Sequence, residues 1–334
     1  MPFSSPGGLG RLAAMTEIDT TATMRAINQH VLGGPEVLTE AQLPQPVPGP
    51  GQILVRVRAA GLNPTDWLHR AIPGLFLPEP PFVLGWDVSG EVAAVGIGVT
   101  LFRPGDEVFG MLPYPGGHGA CAEYTVGPAR AFARKPAVLD HVQAAAIPLA
   151  ALTAWQALVD VAALGAGQRV LIHAAAGGVG HFAVQIAKAR GAYVIGTGSA
   201  PNHAFLRGIG ADEVIDYRST DIAEAVGAVD VVLDSIDDDN SVRSLRTLRP
   251  GGLLVTLRVM GPRDLAAEAD ALGVRAVRML VEHDHAGMTA LAGLVEAGAL
   301  RPTIAGTFPL SEAAKAHALG DTGRTVGKLV LTVP

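Results

Sequence analysis

The sequence predicts an α/β fold that combines a doubly wound parallel sheet with a smaller, partly open β-barrel. Short β-like runs broken by Pro and Gly occupy residues 24–148, and this spacing is typical of a compact barrel. Helical segments alternate with apolar strands over residues 149–303, which indicates a parallel sheet covered by helices on both faces. The tail, residues 304–334, returns to β texture, so we expect it to complete the barrel.

The predicted strands follow one another in the order that these two domains require. The barrel runs are Gln52–Val57, Val88–Val92, Glu107–Phe109 and Ala122–Val126. The later strands are Gln168–His173, Tyr193–Thr197, Glu213–Asp216, Val229–Asp234, Gly252–Leu257, Arg275–Met279 and, closing the chain, Thr325–Leu331. Because ligands of parallel sheets bind at the carboxyl ends of the strands, we expect the active site in the cleft between the sheet and the barrel.

The first 23 residues differ in composition from the rest of the chain. They are rich in Pro, Gly, Ser and Thr and lack the basic start and apolar centre of a secretory signal. We therefore expect residues 1–23 to form a flexible leader, with Met24 as a second candidate start.

Composition narrows the classes of function that are open to the chain. Its 334 residues suffice for about two domains, and no apolar run reaches the roughly 20 residues that cross a bilayer. A net charge of −6 without a basic patch argues against nucleic-acid or membrane partners. Cys121 is the only cysteine, which excludes an intramolecular disulfide and a Cys-rich zinc site and favours a cytoplasmic location.

The segment 173–180, HAAAGGVG, has the form of a dinucleotide-binding turn between a strand and an Ala-rich helix. Gly177 and Gly180 occupy the second and third positions of the G-x-G-x-x-G spacing, with Ala175 at the first. At the second position the missing Cβ lets backbone N–H groups approach a pyrophosphate, which the helix N-terminus attracts. A purely structural glycine turn is the alternative, but the strand and helix supply the context that the binding motif requires.

Several other motifs accompany this turn. They are segments 60–67 (AGLNPTDW), 84–92 (LGWDVSGEV), 104–108 (PGDEV), 210–217 (GADEVIDY) and 327–331 (GKLVL). With these motifs the chain, from Met24 to its C-terminus, resembles the medium-chain dehydrogenase/reductase superfamily, and within it the zinc-free quinone oxidoreductases related to zeta-crystallin. The resemblance implies a Rossmann dinucleotide-binding domain and a GroES-like catalytic domain.

The resemblance also implies a catalytic site without zinc. Zinc-dependent members of the superfamily carry Cys and His in the matching motifs, and a catalytic zinc needs about three protein ligands. The matching residues here are Asn63, Trp86 and Leu149, none of them a usual zinc ligand. The cluster 283–285 (HDH) lies in a polar turn far along the chain from the cleft motifs, so we do not expect it to bind metal.

Without zinc, the resemblance implies hydride transfer to a small-molecule quinone or α,β-unsaturated carbonyl. The enzyme then has to orient the reactants and stabilise one oxyanion. We expect Asn63 to donate its amide N–H to that oxygen, the alternative being a loop asparagine that holds the backbone before Pro64. Asp66 is the second catalytic candidate: it could take part in a proton relay, but we favour a structural role in which it hydrogen-bonds the loop that forms the pocket.

Aromatic and sulfur-bearing side chains near these motifs have two interpretations. Trp67, Trp86 and Tyr114 are candidates for an aromatic wall beside a planar acceptor, although large aromatics also belong to cores. His118 and Cys121 lie in a glycine-rich entry to a strand, and we interpret both as architecture.

The cofactor prediction is NADPH. NAD-preferring sites carry an acidic residue about 20 positions beyond the glycine motif, where it binds the ribose hydroxyls. Segment 193–203 contains no Asp or Glu and offers uncharged or weakly basic donors instead: Thr197, Ser199, Asn202 and His203, with Arg207 further along. A 2′-phosphate would therefore meet no repulsion there.

The resemblance assigns the remaining cofactor contacts along the cleft. Thr153 approaches the nicotinamide half, Gly178 and Val179 approach the pyrophosphate, and Tyr217 approaches the adenosine. Ser235 and Leu257, at the ends of their strands, border the nicotinamide, and Lys328 reaches toward the cofactor or substrate. The alternatives are helix capping for Ser235 and a solvated barrel edge for Lys328.

Two other functions stay open at this point. An enoyl-thioester reductase could use the same zinc-free site, and a nucleotide-binding sensor or crystallin-like structural protein would need no turnover.

The predicted edge strand Arg275–Met279 could pair with the same strand of a second copy, so we expect a homodimer.

Overall fold

The structure, a computed structural model, describes residues 22–74, 76–116 and 119–334. The predicted leader lies outside these ranges except for residues 22 and 23, and Thr23 already belongs to the first strand. The barrel strands are β1 Thr23–Gln29, β2 Leu38–Pro44, β3 Gln52–Leu62, β4 Phe82–Val83, β5 Asp87–Val95, β6 Glu107–Met111, β7 Tyr124–Pro128 and β8 Phe132–Arg134. Helix α1 spans Pro64–Ala71, between β3 and β4.

The parallel sheet and its helices follow. After α2 His141–Ala145 and α3 Pro148–Trp155, which continues as a π-helical turn to Val161, the chain enters the sheet. The strands are β9 Arg169–Ile172, β10 Tyr193–Thr197, β11 Glu213–Ile215, β12 Val229–Asp234, β13 Leu248–Thr256 and β14 Arg275–Arg278. The helices are α4 Gly180–Ala189, α5 His203–Gly208, α6 Ile222–Ala225, α7 Asp238–Leu245, α8 Leu265–Asp270 and α9 His285–Glu296.

The six strands of this sheet are parallel and lie in the order β11-β10-β9-β12-β13-β14. Val170 and Ile172 of β9 pack into the large core shared with the barrel, whereas Leu171 between them joins a separate core on the opposite face. Because successive strand residues point to opposite faces, a strand that is apolar at every position buries both faces under helices. The predicted doubly wound sheet is confirmed.

The C-terminal segment returns to the barrel, where β15 Ile304–Pro309, α10 Ala313–Asp321 and β16 Lys328–Thr332 complete the described chain. Strand β16 pairs antiparallel with β3, in the sheet order β15-β16-β3-β5-β6-β8, with β7 also paired to β3. The last strand begins at Lys328 rather than at the predicted Thr325. Gly327 has φ +80° and donates its N–H to Ala176 O at 3.0 Å, so the chain leaves the ladder to contact the glycine turn.

Within the described ranges, no helix is long and apolar enough to cross a membrane. The α/β fold class with its GroES-like barrel agrees with the prediction. The glycine turn between β9 and α4 lies where β10 and β12 diverge to the two sides of β9. Ligands of doubly wound sheets bind at such switch points.

Candidate active site

The glycine turn packs too closely for side chains at two of its positions. A Cβ atom at Gly180 would overlap the carbonyl oxygen of Ala174, so glycine lets α4 start directly against the strand end. A Cβ at Gly177 would lie 3.2 Å from the same oxygen, and the Gly177 N–H already donates to it at 2.9 Å. This close backbone fits the cradle that a dinucleotide needs.

A cavity of about 850 Å³ opens at the carboxyl ends of β9, β10 and β12. Its volume is in the range of cofactor sites. Five of the predicted cofactor residues line it: Gly177, Thr197, Ser199, Asn202 and Tyr217.

The six other predicted cofactor residues are not part of the lining of this cavity: Thr153, Gly178, Val179, Ser235, Leu257 and Lys328. Thr153 is buried in α3, where its Oγ1 donates to Leu149 O at 2.6 Å. Ser235 is exposed just beyond β12, and the Leu257 N–H donates to Asp234 O at 2.8 Å at the end of β13. Val179 is half-buried immediately before α4.

Three arginines that are not among the predicted site residues also line the cavity: Arg218, Arg243 and Arg324. Among the described residues, none of the three forms an ion pair. The acidic lining residue is Asp221, whose carboxylate accepts the backbone N–H groups of Ala223 and Glu224 at the start of α6. The cavity is therefore electropositive and suits phosphate groups. Two of these arginines lie next to motifs of the sequence: Arg218 directly follows GADEVIDY, and Arg324 lies just before GKLVL. These positions are the sequence features that could have indicated them.

On the barrel side of the turn, Lys328 is held in a buried polar network with Asn63 and Asp87. Lys328 Nζ donates to Leu62 O at 2.8 Å, to Asn63 Oδ1, and to Asp87 Oδ2 at 3.3 Å. Asn63 Nδ2 donates to the same Asp87 oxygen at 2.9 Å, and Asp87 Oδ1 accepts the Leu149 N–H at 2.6 Å. Burial lowers the pKa of Lys328 and raises that of Asp87, while the ion pair between them opposes both shifts.

The same network contacts the glycine turn. A Cβ at Gly178 would lie 3.4 Å from Lys328 Cδ and 3.7 Å from Gly327 O. The stem of Lys328 thus lies beside the turn while its ammonium group faces the barrel, so Lys328 connects the two domains at the site.

Asp66 is fully buried at the first turn of α1. Its Oδ2 accepts the Asn63 backbone N–H at 2.7 Å, one half of a capping box. Burial raises the pKa of Asp66 to about 7, and the hydrogen bond from Asn63 opposes the shift. The structure thus places the Asp66 carboxyl behind Asn63, where it fixes the backbone of that residue.

The predicted aromatic wall is divided between two places. Trp86 and Tyr114 meet edge to face with ring centroids 5.2 Å apart. Trp67 lies on another side of α1, where its ring meets His317 at 6.1 Å and would be 2.6 Å from a Cβ at Gly320. Trp67 therefore belongs to the contact between α1 and α10 and not to a wall with the other two.

The positions that would hold zinc have other roles. Asn63 belongs to the polar network, Trp86 is fully buried, and Leu149 contributes its N–H to Asp87. No group of three or more His, Cys, Asp or Glu side chains is arranged for metal binding in the described part of the chain. In the 283–285 cluster, His285 Nδ1 meets Phe132 O at 2.6 Å and Asp284 caps α9. Cys121 is buried, which raises its pKa, and His118 lies outside the described residues.

His181, at the start of α4, ties the glycine turn to the segment that returns to the barrel. Its Nδ1 lies 2.9 Å from Gly177 O, and its Nε2 accepts the Thr303 N–H at 3.3 Å. Since a carbonyl oxygen only accepts, Nδ1 carries a hydrogen. Nε2 accepts a hydrogen bond and therefore carries none, so the ring is neutral. Burial lowers the pKa of His181 to about 4.

We expect His181→Gln to destabilise the protein less at pH 5 than at pH 7. The unfolded chain protonates this histidine near pH 6.5, so the wild type loses the contribution of His181 as the pH falls from 6.5 toward 4; the loss is roughly 2 kcal/mol at pH 5. Urea unfolding of both proteins at both pH values measures the difference. Asp66, whose pKa is raised, acts with the opposite sign in both proteins and cancels. His30→Gln, at an exposed position, is the control, and an equal loss at both pH values would contradict the prediction.

Comparison with known proteins supports the same architecture. Residues 49–137 match the alcohol dehydrogenase GroES-like domain, and residues 209–331 match the family described as zinc-binding dehydrogenase. Human quinone oxidoreductase is 34% identical over 326 residues, covering 92% of this chain and 97% of the relative. A 2-haloacrylate reductase from a Burkholderia species is 37% identical over 326 residues, covering 90% and 97%.

Solved structures show the same likeness. The quinone oxidoreductase from Coxiella burnetii has a TM-score of 0.88 at 37% identity, covering 94% of this chain and 100% of the other. A mycobacterial protein complexed with NADPH has a TM-score of 0.83 at 32% identity, covering 93% and 100%.

A GroES-like barrel joined to a doubly wound sheet with a glycine turn defines a medium-chain dehydrogenase/reductase, an NAD(P)-dependent oxidoreductase class. Within that class, the chain belongs to the quinone oxidoreductase family.

Proposed function

We propose that this protein transfers hydride from NADPH to quinones or α,β-unsaturated carbonyls without zinc. The observation that carries the proposal is the buried network of Lys328, Asp87 and Asn63 beside the glycine turn. Where zinc-dependent members of the superfamily have a metal ligand, this network holds the Asn63 amide in a fixed orientation as a hydrogen-bond donor.

The group that we assign to the acceptor oxygen follows from the hydrogens that Lys328 and Asn63 can donate. A lysine ammonium has three hydrogens, and those of Lys328 go to Leu62, Asn63 and Asp87. An asparagine amide has two, and one hydrogen of Asn63 Nδ2 goes to Asp87. The second hydrogen of Nδ2 has no partner among the described residues, and it is the donor we assign to the acceptor oxygen.

When bound, NADPH would supply a hydride, and negative charge would then develop on the acceptor oxygen. The Asn63 N–H stabilises that charge, and the buried Lys328 ammonium on Asn63 Oδ1 strengthens the amide as a donor. Asp66 holds the Asn63 backbone, so we propose that it acts by positioning rather than by a proton relay.

We propose that the predicted cofactor residues contact NADPH along the cleft. Gly177, Gly178 and Val179 would hold the pyrophosphate, and Thr197, Ser199, Asn202 and Tyr217 the adenosine half. Thr153, Ser235 and Leu257 would border the nicotinamide. The unpaired arginines of the cavity favour the additional phosphate of NADPH.

Among the three arginines, we propose that Arg218 contacts the 2′-phosphate. It follows β11, the strand next to β10, whose end binds the adenosine ribose in such sheets. We expect Arg218→Ala to weaken NADPH binding about tenfold, the loss of one charge-assisted hydrogen bond, and to change NADH binding much less. Fluorescence titration with both nucleotides measures this. Arg130→Ala, an exposed barrel arginine, is the control, and equal weakening of NADPH and NADH would contradict the assignment.

The proposed activity is tested with metal-analysed protein. NADPH and NADH oxidation are compared with benzoquinones, naphthoquinones, enones, a 2-haloacrylate and an enoyl thioester. We expect rapid NADPH turnover with quinones or enones and no stoichiometric zinc. Turnover of the thioester alone would favour an enoyl-thioester reductase, and tight NADPH binding without turnover would favour a sensor or crystallin-like role.

Two further features remain part of the proposal. The edge strand β14 has β13 as its neighbour in the sheet, and its residue Val277 is exposed, so we propose a homodimer through this edge. Light scattering tests the dimer, and a monomer at micromolar concentration would contradict it.

A cytoplasmic location remains the prediction from the single cysteine.

A further inference from the structure

A second hydrogen-bonded network begins at the first turn of α1, at Thr65, two residues beyond Asn63. Thr65 Oγ1 lies 3.0 Å from Tyr114 Oη and 2.9 Å from His69 Nδ1. His69 Nδ1 is also 2.7 Å from Thr65 O. None of these three side chains is used in the oxyanion site described above.

The hydrogens of this network can be assigned from the groups that can only accept. Thr65 O only accepts, so at 2.7 Å the hydrogen must be on His69 Nδ1. Because Nδ1 already carries a hydrogen, it cannot accept one from Thr65 Oγ1. The Thr65 hydroxyl therefore donates to Tyr114 Oη. Tyr114 accepts in that bond, which leaves its own O–H hydrogen for another acceptor.

The Tyr114 ring is held in place by two neighbouring rings. Trp86 and His69 meet the ring edge to face, at 5.2 and 5.8 Å between centroids. Tyr114 and Thr65 are both half-buried. Burial raises the pKa of Tyr114 and the hydrogen bond from Thr65 lowers it, so the hydroxyl is protonated at neutral pH and its anion has a ready donor.

We propose that Tyr114 donates the proton that completes the reduction of an α,β-unsaturated carbonyl, with Thr65 as its positioning residue. Hydride addition at the β-carbon leaves an enolate with one negative charge. The Tyr114 O–H bond breaks and a C–H bond forms at the α-carbon, giving the saturated carbonyl and a phenolate. The Thr65 hydroxyl stabilises that phenolate, which takes up a proton from solvent water after product release.

This inference rests on the proposed function, and its test separates the two. The substrate is an α-methyl-substituted enone, because protonation then creates a stereocentre at the α-carbon. Chiral chromatography at short reaction times gives the product's enantiomeric ratio. We expect the wild type to form one enantiomer in large excess, since Tyr114 protonates one face.

Tyr114→Phe keeps the ring and removes the proton. We expect kcat to fall about 10²-fold, as for loss of a general acid, and the enantiomeric ratio to approach one. Added buffer acid should raise kcat of this variant and leave the wild type unchanged. The Kd for NADPH, measured by fluorescence, should not change.

Thr65→Val keeps the Tyr114 hydroxyl and removes its donor. We expect a smaller loss of kcat, an unchanged enantiomeric ratio and recovery in Thr65→Ser. Alkaline ultraviolet titration, with Tyr114→Phe subtracted, should show a higher pKa of Tyr114 in Thr65→Val, a readout that needs no turnover. Tyr124→Phe, in β7, is the matched control.

Each outcome bears on one proposal. A wild type that reduces no acceptor contradicts the proposed function, and one that reduces quinones but no enone contradicts this inference alone. An active Tyr114→Phe with the wild-type rate and enantiomeric ratio also contradicts the inference. If Tyr114→Phe does not fold, the difference between the alkaline titrations of the wild type and Thr65→Val, with its recovery in Thr65→Ser, decides it.

Discussion

Replacing Asn63 with alanine is expected to lower kcat by about 10²-fold or more with either acceptor class, the usual effect of removing one oxyanion donor. The Kd for NADPH should stay close to the wild-type value, because the glycine turn and the arginines of the cavity are untouched. Steady-state kinetics together with fluorescence titration measure the two quantities. An interaction made only in the transition state lowers kcat and kcat/KM equally, and that is the pattern we expect.

Asn28→Ala is the matched control for this variant. Asn28 is also a buried asparagine of the barrel domain, in β1, and its Nδ2 meets His30 rather than the site. It should keep the wild-type kcat. A large rise in KM with unchanged kcat in Asn63→Ala would show that Asn63 serves uniform binding, and the oxyanion role would be wrong.

Replacing Lys328 with methionine is expected to lower the free energy of unfolding by about 3 kcal/mol or more. The side chain keeps much of its volume, but the fully buried Asp87 loses its cation and Asn63 Oδ1 loses its donor. The variant should also lose activity, since nothing then fixes the orientation of the Asn63 amide. Urea unfolding measures the stability, and NADPH titration separates loss of activity from loss of binding.

A second substitution distinguishes a buried ion pair from simple loss of packing. In Lys328→Met with Asp87→Asn, no uncompensated charge remains, so we expect part of the lost stability to return. Lys315→Met is the matched control, because Lys315 pairs with Glu312 on the surface at 69% side-chain exposure and should change stability by less than about 0.5 kcal/mol. A double variant as unstable as the sum of its singles would contradict the ion-pair account.

The fold class could be predicted from the sequence because its signals are local. Strands β10 and β12 begin and end where the pattern of apolar residues predicts, at Tyr193–Thr197 and Val229–Asp234. The glycine turn was recognisable since the motif and its flanking strand and helix lie within one short segment. The last strand was predicted to start at Thr325, too early, because nothing local shows that Gly327 bends toward Ala176.

The site was predicted less completely because its residues meet only in three dimensions. Asn63 was selected from its motif, but its partner Lys328 is 265 positions away, and the ammonium faces the barrel rather than the cavity. The sequence does not single out Arg218, Arg243 and Arg324, because they lie far along the chain from β10 and reach the cavity only through the fold. Trp67 was grouped with Trp86 and Tyr114 by motif, whereas α10 occupies the face of α1 where Trp67 lies.

The sequence by itself determined the two-domain α/β class, the dinucleotide turn and the family resemblance, because periodicity, glycine spacing and motif order are properties of neighbouring residues. The tertiary structure decided which polar groups meet and which hydrogen each one donates. Return of the tail to the barrel places a buried ammonium on the Asn63 amide, and packing of the 112–116 loop against α1 places the Tyr114 hydroxyl on Thr65. The energies of such contacts depend on burial and distance, which the order of residues along the chain does not contain.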